Sequence, residues 1–360
     1  MARKLVFDRV LFAAVLVLTG FGLVMVYSSS AAFARERLPF NPFFVKQCLA
    51  AAVGLAAMGV AMHIDYRWLS RRAVIYPLVL GVLALLGVAL FAPSFNQTQR
   101  WFFIAGVSVQ PSELAKLALV PYIAYQIDRK PDRLDSFSLL APCAALTSLM
   151  ATLIYLGRDL GTAMLLIVPT LAMFFLAGIP VRHLLAGGAM VTPLVAVAVA
   201  FEPYRFRRLM AFIDPEKDPL NSGFQPLQSL IAVGSGGLFG LGPGNSVQKL
   251  YFLPSPHADF IYSIVAEELG LLGAVSVAAL FAVILWRGVA AGFRAPETFG
   301  RQLAFGFTFL IVTQALIHIS VTLSLLPATG VPLPLVSHGG SSLVTTLTAC
   351  GLVLNVSQHG

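Results

Sequence analysis

Asp259 stands where a long polar and glycine-containing segment gives way to an apolar run, in the stretch Lys249 to Gly270, KLYFLPSPHADFIYSIVAEELG. Pro254 and Pro256 precede it and stop a helix from continuing out of the loop, and His257 lies two residues before it. A carboxylate at the mouth of a helix can act as a general base toward a hydroxyl, or it can cap the helix by accepting backbone N–H groups. Residue types alone leave both readings open. Other ionisable groups fall within or beside apolar runs, where an unpaired charge is costly and a partner is expected. Glu113 and Lys116 are three apart at the start of one run, a spacing that sets them on one helical face as an ion pair. Asp159 follows Arg158 between two runs and suits a helix N-cap better than a ligand role. Glu267 and Glu268 share the run that Asp259 opens. A helix continuous from 259 would put Asp259, Ser263 and Glu267 on one face over about 12 Å, too far for two carboxylates to share a proton.

Two further clusters are polar without being acidic. PLPLVSHGGSS at 332–342 joins helix-breaking prolines to Ser337, His338 and a run of small residues. The small residues suit a close helix crossing, which leaves the histidine unexplained. Gly240 to Gly244, with Ser246 and Lys249, can present backbone N–H groups and a charge to a phosphate, or can serve only as a flexible loop. Arg100 and Trp101 open an amphipathic patch, RWFF, of the kind found near lipid headgroups.

The elements that must carry these residues are set by composition. The chain has 360 residues, 58% of them hydrophobic and 11% charged, with a mean hydropathy of +0.84. Soluble domains carry about a quarter of their residues as charged side chains, so this is a membrane protein. Its net charge of +8 then belongs to cytoplasmic loops and anionic lipid headgroups, and no nucleic-acid partner is expected. Cys48, Cys143 and Cys350 lie in apolar runs without metal-site or redox spacing. Ala32-Phe33-Ala34 mimics a signal-peptidase site, but Arg9 and Arg35 enclose 25 uncharged residues, long enough to span a bilayer.

Ten apolar runs of spanning length are expected as helices: 10–28, 44–63, 74–92, 112–127, 138–156, 160–178, 183–202, 260–286, 302–323 and 335–356. The expected fold class is an all-α membrane protein, a bundle of ten transmembrane helices forming one domain over 1–360. A long extracytoplasmic loop at about 203–258 precedes the eighth helix. Within that loop Leu227 to Val233 is apolar enough to dip back as a re-entrant or interfacial helix. With the amino terminus inside, 13 of the 24 Lys and Arg residues fall in cytoplasmic segments, so both termini are expected to be cytoplasmic.

Taken together, RWFFIAGVSVQPSELAKLALV at 100–120, DLGTA at 159–163, GFQPLQSLIAVGSGG at 223–237, GNSVQKLYFLPSPHADFIYSIVAEELGLLG at 244–273 and PLPLVSHGGSS at 332–342 resemble the SEDS family (shape, elongation, division and sporulation) over essentially the whole length, and within it most closely the RodA branch. The resemblance implies a ten-helix glycosyltransferase of the bacterial cytoplasmic (inner) membrane. Such an enzyme polymerises lipid II, a disaccharide-pentapeptide on a polyprenyl pyrophosphate, into peptidoglycan strands with inversion, for elongation and rod shape. It implies a catalytic role for Asp259, a cavity lined by Glu113 and Lys116, and an outer-loop motif at Arg100 and Trp101. Asp159, Lys249, His257, Ser337 and His338 are the remaining substrate-site candidates. It also implies a class B penicillin-binding protein as crosslinking partner, contact with membrane lipids and the growing glycan, and no tightly bound cofactor beyond a divalent cation such as Mg2+ or Mn2+. The sequence departs from the family pattern at Arg158, Leu241 and His338, where Pro, Lys and Tyr are common. A division- or sporulation-type polymerase, a lipid II flippase and a non-catalytic scaffold are the alternatives. A flippase needs polar groups through the whole membrane depth, whereas Arg100, Asp159, Arg205, Lys249 and Asp259 are all expected at the outer face, which favours polymerase.

Overall fold

The computed structural model describes residues 7–30, 41–92, 101–104, 107–130, 137–221, 223–250, 252–253 and 255–360. Twelve α-helices are found among them: α1 Arg9–Ser30, α2 Pro42–His63, α3 Arg72–Ala89, α4 Pro111–Asp128, α5 Phe137–Leu156, α6 Leu160–Leu176, α7 Val181–Ala200, α8 Pro203–Ile213, α9 Phe224–Ser235, α10 Ile261–Arg294, α11 Thr298–Thr322 and α12 Gly340–Ser357. A helix occupies each of the ten expected runs. Eight are long and apolar enough to cross a membrane, while α6, at 17 residues, is apolar but shorter. Helix starts follow local chemistry. The Asn41 side chain accepts from Phe43 N and Phe44 N ahead of Pro42, and the Asp159 side chain accepts from Thr162 N.

The bundle is organised around α4, α11 and α12. α11 packs against α4, α6, α10 and α12, and α2 lies along α12. Glycines let these helices approach closely. A Cβ at Gly351 of α12 would sit 2.6 Å from Met58 O of α2, and Gly22 of α1 lies against the backbone of Leu335 in the loop before α12. Asp8 pairs with Arg287, and its backbone N–H donates to Ser357 Oγ, so both ends of the described chain lie at one end of the bundle. The site candidates gather at the other end.

The long segment before α10 is more structured than a loop. α8 is amphipathic, and Phe206, Met210 and Ile213 form an exposed apolar stripe on it beside the exposed Arg207. α9 covers the expected re-entrant stretch and packs on α10. A two-stranded antiparallel hairpin, β1 Phe102–Ile104 with β2 Val107–Val109, precedes α4.

α10 is broken at Gly270 (φ 66, ψ −166), and the segment after α9 fills the break. Leu241 N donates to Glu267 O and Gly242 N to Glu268 O, while Leu271 N and Leu272 N donate to Gly237 O and Leu238 O. The groups freed by the broken helix are thus satisfied by another backbone, as burial away from water requires. Close docking of two main chains explains the glycines here, since a Cβ at Gly240 would lie 2.1 Å from Glu268 O. A flexible loop, one sequence reading of this stretch, is replaced by a backbone plug.

Candidate functional site

Asp259 ends a short loop that a second loop holds from the side. His338 N donates to His257 O (2.8 Å), Ser337 Oγ donates to Ala258 O (2.7 Å), and Leu333 N donates to Ser337 Oγ (2.8 Å). α2 reinforces the strap through Gln47. Its Nε2 donates to Ser337 O (3.0 Å), and its Oε1 accepts from Gly339 N (3.2 Å) and lies 3.2 Å from His338 Nδ1. Ser255 (φ 52) and Leu335 (φ 65) hold left-handed backbone in the two loops, each at a cost of roughly 1 kcal/mol or more that the surrounding hydrogen bonds offset.

The N-cap of α10 falls on Phe260, which makes no side-chain cap, and Asp259 is the residue before it. This corrects the expectation that Asp259, Ser263 and Glu267 share a helical face, because the helix starts after Asp259. Ser263 is instead buried against Ser229 (2.6 Å). Asp259 is half-buried and lies beside Gly330, where an added Cβ would be 4.0 Å from Oδ2. Burial pushes His257 down to about 4. It does the same to His338, which also feels His257 and Lys46, so both imidazoles are neutral near pH 7.

The expected ion pair is present: Lys116 Nζ lies 2.6 Å from Glu113 Oε2, and both side chains are almost fully buried. Thr345 Oγ1 donates to Glu113 (2.9 Å), Lys116 donates to Gln314 Oε1 (2.9 Å), and Gln314 Nε2 donates to Pro332 O (2.9 Å). The pair is thereby wired to the loop that straps Asp259. Asp159 caps α6 and also accepts from Gln110 Nε2 (3.0 Å), while Gln110 N donates to Ser341 Oγ (3.1 Å), which itself donates to Ser108 O in β2. Half-buried Trp101 leads into β1, whereas Arg100 lies outside the described residues.

Lys249 is placed differently from its expected role as an anion partner. It is buried and pairs with Glu268 (2.7 Å), donating also to Gly244 O and Ser28 Oγ. Its charge is neutralised inside the protein and is not presented to a phosphate. Glu268 accepts from Ser28 Oγ and Gly244 N, and Glu267 accepts from Ser246 Oγ, Val247 N and Gln248 N. These two carboxylates anchor the plug at the helix break. Sequence reasoning missed Gln47, Gln314 and Thr345. The two glutamines carried a usable signal, an amide inside an apolar run that must find a partner. Among the described residues no group of three or more His, Cys, Asp or Glu side chains is arranged to hold a metal ion.

The family model described as cell cycle protein, which groups FtsW, RodA and SpoVE, matches residues 8–360. The chain belongs to this family. As a SEDS protein it is 42% identical over 359 residues to the probable peptidoglycan glycosyltransferase FtsW of Geobacter metallireducens, covering 98% of this chain and 95% of that one. It is 37% identical over 358 residues to the stage V sporulation protein E of Bacillus subtilis, covering 98% and 97%. Among solved structures it resembles RodA of Thermus thermophilus, with a TM-score of 0.73 and 29% identity over 98% of this chain and 97% of that one. It also resembles a chain from "Structural coordination of polymerization and crosslinking by a peptidoglycan synthase complex", with a TM-score of 0.80 and 31% identity over the same shares. The SEDS fold is thus matched along its length, while these curated relatives carry the names FtsW and stage V sporulation protein E and give no support for the RodA branch in particular.

Proposed function

We propose that this SEDS protein is a peptidoglycan glycosyltransferase that polymerises lipid II at the outer face of the bacterial cytoplasmic membrane, with both termini inside. Asp259 is its general base. The observation that carries this reading is the placement of Asp259: a half-buried carboxylate just ahead of the N-cap of α10, on a loop held by hydrogen bonds from a second loop and beside Gly330. The similar FtsW protein is named a probable peptidoglycan glycosyltransferase. Its relatives draw the cellular role from elongation toward division or sporulation.

The chemistry needs one base and no covalent nucleophile. Asp259 takes the proton from the acceptor 4-hydroxyl, the oxygen attacks the α-linked anomeric carbon of the donor, and the C–O bond to pyrophosphate breaks with its electron pair on the leaving group. The product is β-1,4 linked, an inversion. Because the donor already carries a good leaving group, the protein mainly orients two lipid-linked glycans and offsets negative charge. Arg205, Arg207 and Arg208 on α8 supply positive charge near this end. Arg208 donates to Ala328 O (3.0 Å), two residues from Gly330. Of the four intramembrane charges that would suit a flippase, Glu113, Lys116, Glu267 and Glu268, the last two are paired in fixing the plug, which supports the polymerase reading.

Purified protein in detergent, with no membrane to flip across, is expected to make glycan from lipid II. Asp259→Asn should lower the rate by roughly 10² to 10⁴ while leaving the protein folded. Near-normal synthesis by that variant would remove Asp259 from the mechanism. A class B penicillin-binding protein is the proposed partner, checked by co-purification from membranes. The solved complex that this chain resembles is described as coordinating polymerization and crosslinking.

A further inference from the structure

Two imidazoles sit on the two loops that hold Asp259, one on each, and their rings meet. His257 lies two residues before Asp259, and His338 closes the loop that opens α12. Their ring centroids are 5.5 Å apart, and Phe43 of α2 packs on both, at 4.4 Å from His257 and 5.4 Å from His338. Behind the rings runs the main-chain bond from His338 N to His257 O, and Gln47 holds His338 and Gly339 from α2. Three separate stretches of chain converge here, one of them the loop that carries Asp259. We propose that His257 and His338, with Phe43 and Gln47, form a clamp of two neutral imidazoles that positions Asp259 and releases it on protonation. Synthesis then has an acid cut-off set by the two imidazoles. The functional part rests on the reading of Asp259 as the base.

Two imidazolium ions this close, in a site walled by an aromatic ring and backbone, repel each other and lose solvation. Of the described charged groups around the pair, one adds to this repulsion and one opposes it. α2 contributes Lys46, a further positive charge, and Asp259 on the same loop is the nearby carboxylate. α1, which meets this region at Gly22, carries Asp8 and Arg9 at its opposite end. β2 and the start of α12 present Ser108 and Ser341, and the Glu113–Lys116 pair farther along is self-neutralised. Both imidazoles are lowered in the folded state to about 4 from an ordinary 6.5. The clamp's contribution is therefore complete above pH 6.5 and is lost as pH falls from there toward 4.

The test is hydrogen exchange of segments 255–260 and 331–340 in the full chain, corrected for intrinsic rates, beside glycan synthesis at each pH. From pH 7.5 to 4.5, opening of both segments should rise by up to the order of 10³-fold with two titrating imidazoles, and by up to the order of 10²-fold in His338→Tyr, which keeps a ring against Phe43. The acid limb of wild-type synthesis should be steeper than one proton and become single-proton in the variant. His338→Gln takes its place should tyrosine not fold. Exchange that is unchanged across this range, or equally acid-sensitive in wild type and variant, overturns the clamp whatever the rates do. Because exchange needs no activity, an active Asp259→Asn protein would remove the catalytic reading and leave the clamp standing.

Discussion

Lys116 holds its ammonium between Glu113 and Gln314, away from water, so deleting either charge strands the other. Breaking such a pair costs about 3–5 kcal/mol, whereas removing both charges together is often tolerated. Glu113→Gln and Lys116→Ala are each expected to lower the folded yield in membranes, and Glu113→Gln with Lys116→Met to restore it. Glycan synthesis by the restored double variant should stay below a tenth of wild type, because the pair is wired through Gln314 to the loop beside Asp259. A stable and fully active double variant would make the pair structural only. The pair itself was legible from three-residue spacing, but its partners were not, since Gln314 is about 200 residues away and nothing local points to it. Asp259 was legible as an acid at a helix mouth. In the structure the N-cap falls one residue later, on Phe260.

The broken α10 is the element that most shapes this end of the molecule. At about 1.5 Å per residue Ile261–Arg294 would be about 51 Å long, well beyond a bilayer core of about 30 Å, and the part after Gly270 is long enough to cross alone. The segment before the break can therefore belong to the outer site, fixed there by the plug. Gly240 has φ +80 and no room for a Cβ against Glu268 O, so Gly240→Ala should destabilise the protein by about 2 kcal/mol or more. Thermal unfolding measures this, and cleavage within 236–249 by an added protease should rise with it. Gly188→Ala in α7 is the matched control, since nothing lies within 4 Å of its added Cβ, and it should be silent or slightly stabilising. Equal effects from the two substitutions would refute the plug. Sequence supplied the glycines and the acidic pair, but a broken helix and an intact one have the same apolar pattern, and only the facing backbone distinguishes them.

Across the whole molecule, the site cluster lies at the end opposite Asp8 and Ser357, so a topology with both termini cytoplasmic carries Asp259 outside. A cysteine at exposed Asn221, with Cys48 replaced, should react with an impermeant reagent in intact cells. Reaction only after the membrane is opened would invert the arrangement and move the chemistry to the wrong side for wall synthesis. The sequence by itself determined the membrane class, the apolar runs and their helices, and the family, because hydropathy, proline positions and residue spacing act over a few turns of chain. Only the tertiary structure decided which polar residues meet. Lys249 went to Glu268 and left the phosphate-binding list, Ser337 and His338 became the strap on the loop of Asp259, and Gln47 entered as its support. Burial makes each of these groups find a partner, but which partner is in reach depends on how distant helices pack, and no local pattern encodes that.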